Sequence, residues 1–100
     1  MSAYLIVEMN ITDMEQYKQY MAEAPASVKA FGGEYLVRGG KHETLEGDWT
    51  PHRVAMLRFQ SFEQAKAFYD SEHYRGVRAK RAGAVEYFNS VLVEGVAAPV

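Results

Sequence analysis

Four short apolar runs and two capped helical stripes succeed one another in the order strand, helix, strand, strand, helix, strand. Two helices can cover only one face of a four-stranded sheet, so this order points to a split βαβ sandwich with one face bare. Residues 3–9 (Ala-Tyr-Leu-Ile-Val-Glu-Met) read as a central strand. Thr12-Asp-Met-Glu15 has capping-box spacing and opens a helix whose stripe is Met14, Tyr17, Met21, Ala24, Val28 and Phe31. Pro25 falls inside this stripe. A proline lacks the N–H and crowds the preceding turn, so a kink or break is expected near Glu23. Gly32-Gly33 ends the helix, and residues 34–38 form the second strand.

A long connection over 39–51 leads to a third strand at 52–60. Ser61-Phe-Glu-Gln64 is a second capping box, opening a helix with Ala65, Phe68 and Tyr69 turned inward. Ser71 caps a further turn or short helix running to Arg81, Gly83 resets the chain, and residues 85–94 form the last strand. One domain is expected over 1–95, with 96–100 as a flexible C-terminal tail.

Strand alternation sorts the side chains. Leu5, Val7, Ala55, Leu57, Phe59, Phe88 and Leu92 belong to the helix-covered face. Tyr4, Ile6, Glu8, Val54, Met56, Arg58, Tyr87, Asn89 and Val91 belong to the other. That second face is too apolar for water, so a second copy of the chain is expected to cover it.

The glycine pair before Tyr35-Leu36, the triplet Arg38-Gly39-Gly40, Leu45-Glu46-Gly47-Asp48-Trp49 and Arg53 form the first half of a recognisable pattern. Phe68-Tyr69-Asp70-Ser71, Tyr74, Arg81 and Val93-Glu94-Gly95 complete it. Over residues 3–95 the chain resembles a mainly bacterial family of small proteins classed as a domain of unknown function. That family lies within the dimeric α/β-barrel superfamily, where antibiotic-biosynthesis monooxygenases and muconolactone isomerases are distant relatives. The resemblance implies a ferredoxin-like βαββαβ protomer, with an antiparallel or mixed four-stranded sheet and helices on one face. It also implies a homodimer whose sheets close into a barrel. It implies no activity.

The residues with chemistry to offer cluster around the glycine-rich strand and the acidic turn. Arg38 can clamp a carboxylate or enolate through its planar fork, or it can pair with Glu46 or Asp48 and brace the loop. Arg53 has the same two readings. Glu46 and Asp48 serve as acid or base if desolvated and as turn formers if solvated. Trp49 walls a pocket or packs against a partner chain. Among seven tyrosines, Tyr17 belongs to the core stripe, whereas Tyr20, Tyr69 and Tyr74 lie off or beside the stripes and suit a pocket wall. Arg38, Glu46 and Asp48 are therefore the catalytic candidates. Arg38, Trp49, Arg53, Tyr20, Tyr69 and Tyr74 are the binding candidates. The site is expected where the open sheet face meets the 39–51 connection, with a small, partly apolar anion as its ligand.

Other function classes find little support. There is no cysteine, and His42, His52 and His73 do not have metal-ligand spacing, so no metal is expected. No flavin, nicotinamide or phosphate-loop motif is present, so no cofactor is expected. Arg75, Arg78, Lys80 and Arg81 make the only basic cluster, and the net charge is −2, which speaks against nucleic acid. The N-terminus lacks a signal-peptide pattern and no apolar run spans a bilayer, so a cytoplasmic location away from membranes is expected. Two functions remain open: a cofactor-independent enzyme, monooxygenase- or isomerase-like, and a non-catalytic ligand-binding or stress-associated dimer.

Overall fold

The computed structural model describes residues 1–97, so 98–100 of the expected tail lie outside the described residues. The elements are β1 (Ala3–Ile11), α1 (Met14–Ala30), β2 (Glu34–Arg38), β3 (Arg53–Phe59), α2 (Phe62–Asp70), α3 (Glu72–Ala79) and β4 (Val85–Glu94). The sheet order is β2-β3-β1-β4 and every neighbouring pair is antiparallel, so the mixed alternative does not apply. This is the ferredoxin-like arrangement. Within one chain the sheet is open, and barrel closure would need a second copy.

The helix starts follow local chemistry, with one correction. Asp13 caps α1, its carboxylate accepting from the backbone N–H of Gln16. Thr12 instead donates its hydroxyl to the carbonyl of Ala84, which ties the start of α1 to the approach to β4. Ser61 caps α2 as its box spacing predicts, accepting from the N–H of Gln64. The Gln64 amide does not reach back to the cap; it donates to the carbonyl of Phe31, beyond α1. Ser71 serves two helices, donating to the Phe68 carbonyl at the end of α2 and accepting from the Tyr74 N–H at the start of α3.

Alternation holds along β1 and β3. Ala3, Leu5, Val7, Met9, Ala55, Leu57 and Phe59 are buried beneath the helices, with Tyr17, Tyr20, Ala24, Val28, Phe68, Tyr74 and Val77 above them. Met14, placed on the buried stripe by spacing, is exposed because it occupies the first turn, beyond the covered part of the sheet. Nor does α1 break at Pro25; it runs on to Ala30. The carbonyl that a residue-25 N–H would have satisfied belongs to Met21, and the Arg38 guanidinium donates to it at 3.0 Å.

Gly32 ends α1 with φ +74°. Its N–H bonds the Lys29 carbonyl and the Gly33 N–H bonds that of Val28, the paired pattern of a Schellman cap. Gly33 has a separate reason to be glycine: a Cβ there would lie 2.5 Å from the ring of Phe59, which is fully buried. We therefore expect Gly33→Ala to lower unfolding free energy by about 1–3 kcal/mol, the usual cost of forcing a packed ring aside. Urea denaturation measures this, and an unchanged midpoint would show that the ring has room to move.

Candidate functional site

A β-bulge decides which face receives Arg38. Simple alternation from Tyr35, which points to the helices opposite Leu57, would send residue 38 to the open face. The register shifts within β2, so that Val37 lies opposite Met56 and Arg38 opposite Ala55. Leu36 is the extra residue. Arg38 consequently lies under α1, stacked on the Tyr35 ring at 4.6 Å and bonded to Met21.

There it meets Arg53 at the rim of a cavity between the helices and the sheet. The aromatic walls are Tyr17, Tyr20, Tyr35, Phe68, Tyr69, Tyr74 and Phe88, and the floor includes Leu5, Val7, Met9, Ala55 and Leu57. Free volume is about 40 Å³, room for a few water molecules. The cavity exists because large rings on α1 and α3 hold the helices above a small residue, Ala55. Tyr20 and Tyr74 join across it by a hydroxyl–hydroxyl hydrogen bond of 2.6 Å, and Tyr17 donates to the Met9 sulfur at 3.2 Å. Gly39, at φ +76°, gives Arg53 its place, since a Cβ there would collide with the guanidinium.

Among the described residues, no carboxylate lines this cavity. Among the described residues neither Arg38 nor Arg53 takes part in an ion pair. Two further cations stand behind the aromatic wall: Arg81 lies 3.5 Å from the Phe88 ring centroid, and Arg78 lies 4.1 Å from that of Tyr69. Buried guanidinium nitrogens of both, Arg81 Nε and Arg78 Nη1, have no hydrogen-bond partner among the described residues. Four guanidinium groups thus stand at or behind the walls of the cavity.

The sequence-derived site divides in two. Arg38, Arg53, Tyr20, Tyr69 and Tyr74 border the inner cavity, Tyr69 from its partly exposed rim. Trp49 lies across the sheet on the open face, where its indole N–H donates to Glu8 at 3.2 Å. Glu46 and Asp48 stay on the exposed loop, away from both groups. The expected placement of these residues at the open face is corrected to the helix-covered side: the bulge carries Arg38 there, alternation with Ala55 along β3 carries Arg53, and Tyr20, Tyr69 and Tyr74 come from the helices. The bracing of the loop by Arg38 through Glu46 or Asp48 is also replaced. His42 Nε2 bonds the Pro51 carbonyl at 2.8 Å and the Thr44 hydroxyl bonds that of Trp49 at 2.8 Å.

On the open face Glu8 gathers a polar network that no motif announces. Its carboxylate accepts from Asn89 at 3.1 Å and from Trp49, with the Tyr87 hydroxyl at 3.5 Å and His52 bonded to Tyr87 at 2.7 Å. The hydrogen bonds from Asn89 and Trp49 hold the Glu8 carboxyl below its ordinary range, against some desolvation. Strand parity puts Glu8, Tyr87 and Asn89 together; the reach of Trp49 depends on loop path, which parity does not contain. Among the described residues no group of three histidines or carboxylates is placed to hold a metal, and no helix is long and apolar enough to cross a membrane.

Three of the cavity tyrosines, Tyr17, Tyr20 and Tyr35, are held neutral. Burial raises Tyr17 from its ordinary value near 10 to about 12, opposed by Arg81 and Arg53. Burial raises Tyr20 further, helped by Tyr74, and raises Tyr35 against the pull of Arg38. Their hydroxyls act as neutral hydrogen-bonding groups. The folded state keeps these protons where the unfolded chain would release them. The stability they contribute is therefore complete below about pH 10 and falls as pH rises through about 12, by on the order of 2 kcal/mol for Tyr17. We expect the tyrosinate absorbance of the native protein at pH 11 to lie well below that of the urea-unfolded chain. Equal absorbance would show that the cavity is open to water.

No curated protein matches the chain. Among solved structures, it is similar to a protein of unknown function from Rhodopseudomonas palustris: 16% identity, TM-score 0.77, 95% of this chain and 82% of that one. It is similar to a dimeric ferredoxin-like protein of unknown function from Jannaschia sp.: 14% identity, TM-score 0.71, 95% and 100% covered. A third neighbour, from Caulobacter crescentus, is provisionally assigned as an antibiotic biosynthesis monooxygenase: 12% identity, TM-score 0.62, 95% and 90% covered. These likenesses bear on fold. The family model described as Domain of unknown function (DUF1330) matches residues 2–96, and the chain belongs to that family.

Proposed function

We propose that the protein is a homodimer that binds a small, partly apolar anion, such as an aromatic carboxylate or phenolate, in the cavity between its helices and sheet. The observation that carries this reading is the pair Arg38 and Arg53, free of ion pairs among the described residues, at the mouth of an aromatic chamber without a carboxylate in its lining. Tyr20, Tyr69 and Tyr74 wall the apolar part of the ligand, and the guanidinium groups take its charge. The present volume is below what an aromatic acid needs, so in this reading the exposed rim residue Tyr69 moves aside on entry while Arg38 stays in place.

The dimer rests on the open face. Ile6, Met56 and Val91 lie together there, with Val91 55% and Trp49 59% exposed in the single chain. Several structural neighbours are dimeric by description. Leaving that face wet would forfeit about 25 cal/mol for each Å² of apolar area. Trp49 belongs to this interface in our reading, with Glu8 as its anchor. A cytoplasmic location belongs to the same proposal.

A cofactor-independent enzyme is the second reading, favoured by the hydrogen-bonded Tyr20–Tyr74 hydroxyl pair within the arginine-rimmed chamber. Such donors stabilise an enolate or phenolate as charge develops. The fold is shared with a provisionally assigned monooxygenase. The chamber offers no carboxylate or histidine as a base, so Arg38 is the remaining catalytic candidate in its lining. A substrate for this enzyme would arrive already ionised or acidic enough to ionise beside the arginines.

Two experiments test the proposal. In a benzoate titration followed by calorimetry, we expect Arg38→Ala to weaken binding about tenfold or more, the cost of losing a charge-assisted hydrogen bond, with little loss of melting temperature. Unchanged affinity would reject Arg38 as a ligand contact. For the assembly, analytical ultracentrifugation at tens of micromolar should show a dimer that Val91→Asp dissociates, with a red shift of Trp49 emission. A wild-type monomer under those conditions would overturn the dimer.

A further inference from the structure

Pro25 is the one residue inside α1 that cannot donate a helical hydrogen bond. The carbonyl it leaves free, that of Met21, receives the Arg38 Nη2 at 3.0 Å. Met21, Tyr35 and Arg38 all border the cavity. A helix normally has no spare carbonyl in its interior, because each is taken by the N–H four residues on. Without the proline, Arg38 would have to share this acceptor with the N–H of residue 25, which holds the carbonyl along the helix axis.

Three contacts fix the guanidinium in this place. The bulge at Leu36 turns residue 38 toward the helices. The Tyr35 ring supports one face of its plane at 4.6 Å. The Met21 carbonyl takes one edge. The remaining donors of the fork make no hydrogen bond to the protein among the described residues. An exposed arginine on a flexible stem loses much of its freedom when it grips a ligand, and holding it beforehand reduces that loss.

We infer that Pro25 is a positioning residue for anion binding: by freeing the Met21 carbonyl it docks the Arg38 guanidinium at the cavity rim, ready to meet a carboxylate. This rests on the reading of Arg38 as a ligand contact. It also explains why a proline occupies the interior of a helix at a position where alanine would form it better.

The test compares Pro25→Ala, Arg38→Ala and the double variant with the parent protein. Alanine suits a helix interior, so Pro25→Ala should fold and melt no lower than the parent. Its new N–H competes with Arg38 for the Met21 carbonyl and weakens the hold on the guanidinium. The ¹⁵N relaxation of the Arg38 Nε–H group should then show a more mobile side chain. Benzoate affinity should fall three- to tenfold, and the proline substitution should have no further effect in the Arg38→Ala background. The inference is overturned if the Arg38 side chain stays equally ordered in Pro25→Ala. It is also overturned if that substitution weakens benzoate binding equally with and without Arg38. If Arg38 loosens as expected but benzoate binds no form of the protein, the positional link between Pro25 and Arg38 stands and the anion-binding reading fails.

Discussion

The structure depends on one constraint: a four-stranded sheet with two apolar faces and helices enough for one. On the covered face α1 does not lie flat against the strands. Tyr17 and Tyr20 reach down from α1, Tyr74 meets Tyr20 from α3, and Phe68 and Phe88 complete a set of rings standing over Ala55. These rings bury large area and resist collapse, so a small cavity stays among them with its mouth at Arg38, Arg53 and Tyr69. On the bare face there is no such cover, and Glu8, Trp49, Tyr87 and Asn89 supply a hydrogen-bonded patch amid Ile6, Met56 and Val91. The cavity under the helices and the uncovered, partly apolar opposite face both follow from the same shortage of helix.

Charge follows this division. Acidic side chains gather on the bare face, on the loop or at the periphery, where Glu34 pairs with Arg58 and Glu23 with Lys80. Arginines gather around the hollow. Arg38 and Arg53 stand at its rim, while Arg81 and Arg78 stack on the outer sides of Phe88 and Tyr69. A guanidinium is weakly hydrated and packs on aromatic faces, so these cations cost less to hold near an apolar chamber than lysines would. Tyr17 and Tyr20 stay protonated in their company because burial outweighs the attraction of the arginines for a phenolate. What results is a chamber of neutral donors and fixed cations that lacks its own counter-charge.

Much of this was legible in the chain. Apolar runs marked all four strands, and Ser61 and Ser71 marked two helix starts. Parity assigned β1 and β3 to the right faces. The cap at Asp13 was missed because Thr12 has the better box spacing, and only the fold shows that Ala84 claims its hydroxyl. The face that receives Arg38 was missed for a sharper reason. Tyr35-Leu36-Val37 carries apolar side chains at three consecutive positions, so nothing in it reveals a bulge, and one unrecognised extra residue moves Arg38 through the sheet. Pro25 signalled a disrupted helix, when its consequence was an unclaimed carbonyl and a partner for it on β2.

The central claim is that the ligand enters the hollow under the helices and not the groove on the bare face. Chemical-shift mapping with benzoate tests it most directly, because the two locations report through different residues. The account predicts shifts of the Tyr20, Tyr74 and Phe88 ring signals and of the Arg38 Nε–H group, with the Trp49 indole unmoved. Shifts confined to Trp49, Ile6 and Val91, or none anywhere, would contradict it.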